Sequence, residues 1–211
     1  MRLVPPFSQG DVAGTKVSRE TWERLEDYCQ ALLKWSRAIS LVANDEEHRL
    51  WKRHVIDSAQ LWPLRHPETR RWADLGSGGG LPGVVLAIIG KELSPGIRFH
   101  LVESDGRKAA FLRFIESRQN LGMTLHTDRI EAISSIRAQT VTARALAPLS
   151  HLLGFVEHHI SPGGFAILPK GRKIDREIEE ARKTWQFTLL RHPSRVDSQG
   201  SILQITDIHR L

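Results

Sequence analysis

Residues 71–87, RWADLGSGGGLPGVVLA, decide the fold. Trp72 to Leu75 read as a short buried strand, and the apolar run after Pro82 reads as the start of a helix. Between them, Gly76, Gly78, Gly79 and Gly80 permit backbone angles closed to other residues and let main-chain N–H groups approach a bound group. Pro82 suits a first helical turn, where its missing N–H would be unpaired anyway. Asp74 stands two residues ahead of the first glycine. Strand, glycine turn and helix in this order mark a nucleotide-type loop in a βαβ unit.

Two ligand classes fit the loop. Residues 78–83, GGGLPG, satisfy the dinucleotide fingerprint G-x-G-x-x-G. The register Asp74-x-Gly76-x-Gly78-x-Gly80 also fits the acidic-x-G-x-G-x-G loop of S-adenosylmethionine-dependent methyltransferases. Charge separates the two. A dinucleotide brings a pyrophosphate to the helix N-terminus, where Asp74 would oppose it. S-adenosylmethionine carries a sulfonium and an ammonium instead, and a strand-end carboxylate can help orient the ammonium. The loop favours the methyl donor and leaves a nicotinamide-dependent oxidoreductase as the alternative.

The chain has 211 residues, enough for one α/β domain with an extension, here residues 1–66 ahead of a cofactor-binding domain at 67–211. Its net charge of +6 and pI near 9.9 permit a polyanionic partner. The single cysteine, Cys29, excludes an internal disulfide framework and a cysteine-rich zinc site. No apolar run is long enough to span a bilayer, and MRLVPPFSQGDVAG, broken by Pro5 and Pro6, lacks a signal-peptide core. The expectation is a cytoplasmic, monomeric protein with no metal and no membrane partner.

Residues 1–17 read as a loose lead-in. Ser18 can cap a helix to about Ile39, with Trp22, Leu25, Cys29, Leu32 and Leu33 at helical spacing. Cys29 then lies on the buried face. A second helix is expected from about Asp45 to before Pro63, with Leu50, Ile56, Ala59 and Trp62 on one side and Lys52 and Arg53 nearby. His54, Asp57 and Ser58 share a face of it. They do not make a catalytic triad, because one short helical stretch cannot form a converging relay. They read as a polar cluster that locks the helix onto the main domain, with substrate contact as the alternative.

From residue 71 onward strands alternate with helices. Strands are expected at 98–103, 123–127, 140–143 and 165–168, and helices at 105–120 and 149–160, with a short helix after Glu131. Ser161-Pro162-Gly163-Gly164 reads as a turn, and TWQFTLL and SILQITDI as an antiparallel pair completing the sheet. The alternation implies a mostly parallel sheet covered on both faces. Ligands bind at the carboxyl ends of such strands. That rule selects the glycine loop, Glu103, Ile130-Glu131, Arg144 and Lys170. Glu103 can accept hydrogen bonds from ribose hydroxyls. Ile130 and the backbone around Glu131 can face an adenine. Arg144 and Lys170 stand where a substrate would approach, and with Lys52 and Arg53 they form the expected basic surface for a polyanionic substrate.

The stretch after the 140–143 strand, Ala143-Arg144-Ala145-Leu146-Ala147-Pro148, has no Asp/Asn-Pro-Pro-aromatic motif for an exocyclic base amine. The one cysteine is too far away to attack a pyrimidine ring. A ring nitrogen with a lone pair, such as guanine N7, needs neither group, so no general base is assigned.

RHVIDS at 53–58, DLGSGGGLPG at 74–83, LVESDGRKAAFL at 101–112, RIE at 129–131, TARALAPL at 142–149 and PKG at 169–171 run in one order along most of the chain. In this the sequence resembles the glucose-inhibited division protein B family, the bacterial small-subunit ribosomal RNA guanine-N7 methyltransferases. The resemblance implies a class I (Rossmann-like) methyltransferase sheet behind a helical extension. It also implies S-adenosylmethionine as donor and a guanine of 16S ribosomal RNA, in a precursor or a small subunit, as acceptor. It further implies cofactor contacts at Gly76, Leu81, Ile130, Glu131 and Arg144. Many members carry Asp where this chain has Glu103. A non-catalytic ribosome-assembly factor on the same fold is the other reading.

Overall fold

A computed structural model describes residues 10–42 and 50–211. The expected start of the second helix near Asp45 falls outside the described residues, as does most of the lead-in. What is described of the lead-in is not loose. Strands β1 (Asp11–Val12) and β2 (Thr15–Lys16) pair antiparallel across Ala13 and Gly14, both at positive φ. The Gly14 N–H donates to Asp11 Oδ1 at 2.7 Å, which closes the turn.

Helix α1 (Arg19–Ser36) starts at Ser18, whose side chain accepts from the Thr21 N–H. It buries Trp22, Leu25, Tyr28, Cys29 and Leu32. Helix α2 is wound as a π-helix over Trp51–Ile56 and as an α-helix over Asp57–Ala59. Its inward residues Leu50, Ile56 and Ala59, with the following Trp62, are all buried.

The sheet and its covering helices follow in order: β3 (Arg71–Leu75), α3 (Gly83–Leu93), β4 (Arg98–Val102), α4 (Gly106–Gln119), β5 (Thr124–His126), β6 (Ala138–Ala143), α5 (Leu149–His159), β7 (Ile160–Lys170), α6 (Ile174–Ala181), β8 (Trp185–Pro193) and β9 (Ser201–Arg210). The sheet order is β5-β4-β3-β6-β7-β9-β8. All neighbours are parallel except β9, which runs against both β7 and β8. The chain leaves β3 toward β4 and β5, then returns to place β6 on the other side of β3. That reversal opens a crevice at the carboxyl ends of β3 and β6.

Three elements differ from the sequence reading. Residues 161–164 do not end a strand. They are a bulge within β7, where pairing passes from Ala138 with Ile160 to Thr140 with Phe165 and Gly163 takes φ 73°. The short helix after Arg129 is a single 3-10 turn, Ile130–Ala132. Helix α6 was not expected, although Ile174, Ile178 and Ala181 carry the i, i+4, i+7 apolar spacing of a helix.

Two apolar clusters flank the sheet. One joins Trp22, Trp51 and Trp62 of the N-terminal region to Trp72, Phe99 and Phe111. Trp62 stacks on Trp72 with centroids 5.9 Å apart, and Trp22 meets Trp51 at 4.7 Å. The extension therefore shares the core of the sheet. Truncating Leu25 or Leu32, both fully buried, costs about 2–5 kcal/mol by lost burial and a residual cavity.

Candidate active site

The loop after β3 is held by short local bonds. The Ser77 N–H donates to Val102 O at 3.0 Å, and Gly80 N–H to Ser77 O at 2.8 Å. Gly76, Gly78 and Gly80 all have positive φ. A Cβ at Gly80 would lie 2.3 Å from Val84 Cγ2, and one at Gly76 would lie 2.6 Å from Leu146 Cδ1. Leu146, between β6 and α5, thus rests directly on the glycine loop. From the other side, the fully buried Tyr28 hydroxyl of α1 donates to Gly79 O at 2.6 Å. The sequence reading missed both contacts. The only signal for Tyr28 was its place on the inward face of α1.

Asp74 turns back into this loop. Its Oδ2 accepts from the Gly83 N–H at 3.0 Å, and its Oδ1 accepts from the Thr142 hydroxyl at 2.9 Å. A Cβ at Gly83 would lie 2.6 Å from Oδ2, so only glycine lets the helix approach this closely. Burial pushes the carboxyl up to about 6, against the pull of its hydrogen bonds and of Arg144. The N-terminal N–H of α3 that would receive a pyrophosphate is therefore already bonded to a carboxylate. This separates the two ligand classes that the glycine pattern leaves open, and it disfavours a dinucleotide.

Glu103 follows β4. Its Oε2 accepts from the Gly78 N–H and its Oε1 from the Asp105 N–H, each at 2.8 Å. The carboxylate is fixed at the glycine loop. Ile130 and Glu131 follow β5, the neighbour of β4; Ile130 is buried and Glu131 exposed. Leu81 packs its side chain into the core with α3. Acid, glycine loop and apolar residue occupy the carboxyl ends of adjacent strands, and this set suits an adenosine-bearing group.

Beyond β6 the crevice widens into a cavity of about 960 Å³. Lys52, Arg53, Arg144 and Lys170, taken from three places in the sequence, all line it. Arg144 and Lys170 each meet a carboxylate. Arg144 Nη1 donates to Asp57 Oδ2 at 2.9 Å, and Nη2 donates to His54 Nδ1 at 3.2 Å. Gln60 Nε2 donates to Asp57 Oδ1 at 2.8 Å. His54 and Asp57 thus join α2 to the end of β6, whereas Ser58 bonds back to His54 O and takes no part. Burial pushes the Asp57 carboxyl up, and Arg144 counteracts it. Lys170 Nζ donates to Glu177 Oε2 at 2.8 Å and to Ala147 O at 2.9 Å. Glu177 Oε2 also accepts from the Leu149 N–H at 2.9 Å. Lys170 therefore anchors the Leu146 loop and the start of α5. Its partner sits on α6, the helix missed in sequence. The far wall includes Val196 and Asp197 of the β8–β9 connection.

A family model described as GidB, rRNA small subunit methyltransferase G, matches residues 21–205. The chain belongs to this family. Proteins named ribosomal RNA small subunit methyltransferase G are similar along most of their length. That of Cereibacter sphaeroides is 46% identical over 90% of this chain and 91% of its own. That of Paramagnetospirillum magneticum is 45% identical over 92% of each. Among solved structures, an O-methyltransferase from Bacillus cereus shares 17% identity with a TM-score of 0.58, covering 86% of this chain and 91% of its own. The GidB chain thus carries the Rossmann-like methyltransferase sheet. No helix among its described residues is long and apolar enough to cross a membrane.

Proposed function

We propose that this GidB chain transfers the methyl group of S-adenosylmethionine to N7 of a guanine in 16S ribosomal RNA, as a cytoplasmic monomer acting on the small subunit or its precursor. One juxtaposition carries the reading. A glycine loop whose helix N-terminus is closed by Asp74 lies against Leu146, and Leu146 in turn lines a basic-walled cavity large enough for a nucleoside.

On the donor side, Gly76, Gly78 and Gly80 bring the main chain against the cofactor, with Leu81 contributing main-chain contact. Glu103 holds the ribose hydroxyls. Ile130 packs on the adenine, and the backbone at Glu131 reads its edge. Arg144 borders both ligands. S-adenosylmethionine supplies an electrophilic methyl. The N7 lone pair would take the methyl as the S–CH3 bond breaks and S-adenosylhomocysteine leaves, so no base would need to remove a proton first. The protein's work is then alignment and exclusion of water, which the Leu146 loop serves by lying over Gly76. Residues 1–66 act as an RNA-facing extension and 67–211 as the methyl-transferring domain. Lys52 and Arg53 on α2 meet RNA phosphates, and Lys170 acts by anchoring the wall.

The test is radiolabelled methyl transfer to small subunits from a strain lacking the gene, followed by nucleoside analysis. Label in 7-methylguanosine supports the reading. Label in another nucleoside overturns the N7 assignment. Donor binding without transfer to subunits, precursors or free RNA supports the assembly-factor alternative.

A further inference from the structure

His159 ends α5 with no exposed surface. Its ring spans the segment that follows β5. The Ile136 N–H donates to Nδ1 at 3.4 Å, and Nε2 lies 3.0 Å from Ile130 O. A backbone N–H only donates and a carbonyl only accepts, so the ring is the neutral tautomer with its proton on Nε2. His158 adds a third point from outside, with Nε2 3.1 Å from Ile133 O. The two rings touch edge to face, with centroids 4.6 Å apart. The segment has little structure of its own beyond one 3-10 turn, where the Ala132 N–H donates to Arg129 O. Its backbone is held at 130, 133 and 136 by these two side chains.

We infer that His159, backed by His158, is the positioning residue for the adenine-facing segment Ile130–Ile136 and sets the affinity for the methyl donor without touching it. This rests on the reading that Ile130 and Glu131 border the adenine. Both ring nitrogens are in use, and protonation would turn an Nδ1–H toward the Ile136 N–H. Burial holds the imidazole below its ordinary value, aided by the neighbouring His158 and His126 and opposed by the bond to Ile130. The ring therefore keeps the form that makes both bonds.

The full-length protein tests this through calorimetric binding of S-adenosylmethionine, steady-state kinetics and RNA affinity. His159→Phe fills the volume without hydrogen bonds. It should raise Kd and KM for the donor about tenfold, with kcat at saturation and RNA affinity little changed. His159→Gln, which both donates and accepts, should recover part of the loss. His158→Ala should raise the donor Kd about two- to threefold. Unchanged donor affinity in folded His159→Phe would overturn the inference. So would equal losses of donor and RNA affinity in the Phe and Gln variants, the mark of a merely structural residue. If His159→Phe does not fold, His158→Ala decides, and an unchanged donor Kd then counts against the inference. Ile130→Ala separates the layers. Weakened donor binding there with a wild-type His159→Phe sinks the inference alone. No effect of Ile130→Ala sinks the adenine reading beneath it.

Discussion

On the β4 side of the crevice, carboxylates face main-chain N–H groups; on the β7 side they face cationic side chains. Glu103 accepts from Gly78 and Asp105, and Asp74 from Gly83. Asp57 instead meets Arg144, and Glu177 meets Lys170. The first kind of contact joins a carboxylate to loop backbone, within one strand–turn–helix motif for Asp74–Gly83 and Glu103–Asp105 and between neighbouring motifs for Glu103–Gly78. The second joins α2 to β6 and β7 to α6, and it forms only once separate elements have packed. The glycine-loop rim is thus held by hydrogen bonds to uncharged groups, whereas the Arg144–Lys170 rim is held by ion pairs between elements.

The contrast is broken most severely at Gly76. Gly76→Asp adds a side chain where Leu146 sits, at φ 67°. Donor affinity in a titration should fall at least about a hundredfold, while RNA affinity stays near wild type. Comparable loss of both would mean that the two rims are not separate. Asp57→Ala leaves the largely buried Arg144 guanidinium without its carboxylate. On the proposal that Arg144 borders both ligands, it should weaken donor and RNA binding together, each about tenfold, and lower the melting temperature.

Asp74 sharpens the comparison through pH. Its carboxyl is raised to about 6 from 3.8, so the folded state holds the proton more tightly than the unfolded chain. Its contribution to stability is full below about pH 4 and is lost as pH rises toward 6. Asp74→Asn should remove that dependence. Relative to wild type, the variant should gain up to about 3 kcal/mol between pH 4 and 6 in denaturant titrations. A pH-independent difference would show that the carboxylate does not titrate there.

The smallest effects separate the cations. Lys52→Ala with Arg53→Ala should weaken RNA binding and lower the salt slope by about 1–2. Lys170→Gln should leave that slope unchanged and reduce kcat, because its charge is already matched by Glu177. A slope lowered by Lys170→Gln would make it a phosphate contact after all.

Much of this was legible in the sequence. Ser18 caps α1, Asp105 caps α4 by accepting from the Arg107 and Lys108 N–H groups, and Gly76, Gly78 and Gly80 take the positive φ that glycine permits. Such features depend on neighbours within a few residues. The bulge in β7 was not legible, because its glycines read equally well as a turn until β6 is beside them. Tyr28 read as a core residue until the glycine loop came within reach of its hydroxyl.

The sequence by itself determined the strand–loop–helix unit, the alternation that makes a parallel sheet, and the residue types at the strand ends. Periodicity and backbone preference are local properties, and they survive without a fold. Only the tertiary structure set Asp74 between the Gly83 N–H and the Thr142 hydroxyl of β6, which strengthens the preference for a methyl donor already readable in the loop. It alone gathered Lys52, Arg53, Arg144 and Lys170 around one cavity and set Asp57 against Arg144 and Glu177 against Lys170. Charge in a sequence is a count, and whether it faces RNA or a neighbouring carboxylate depends on which distant segments the core brings together.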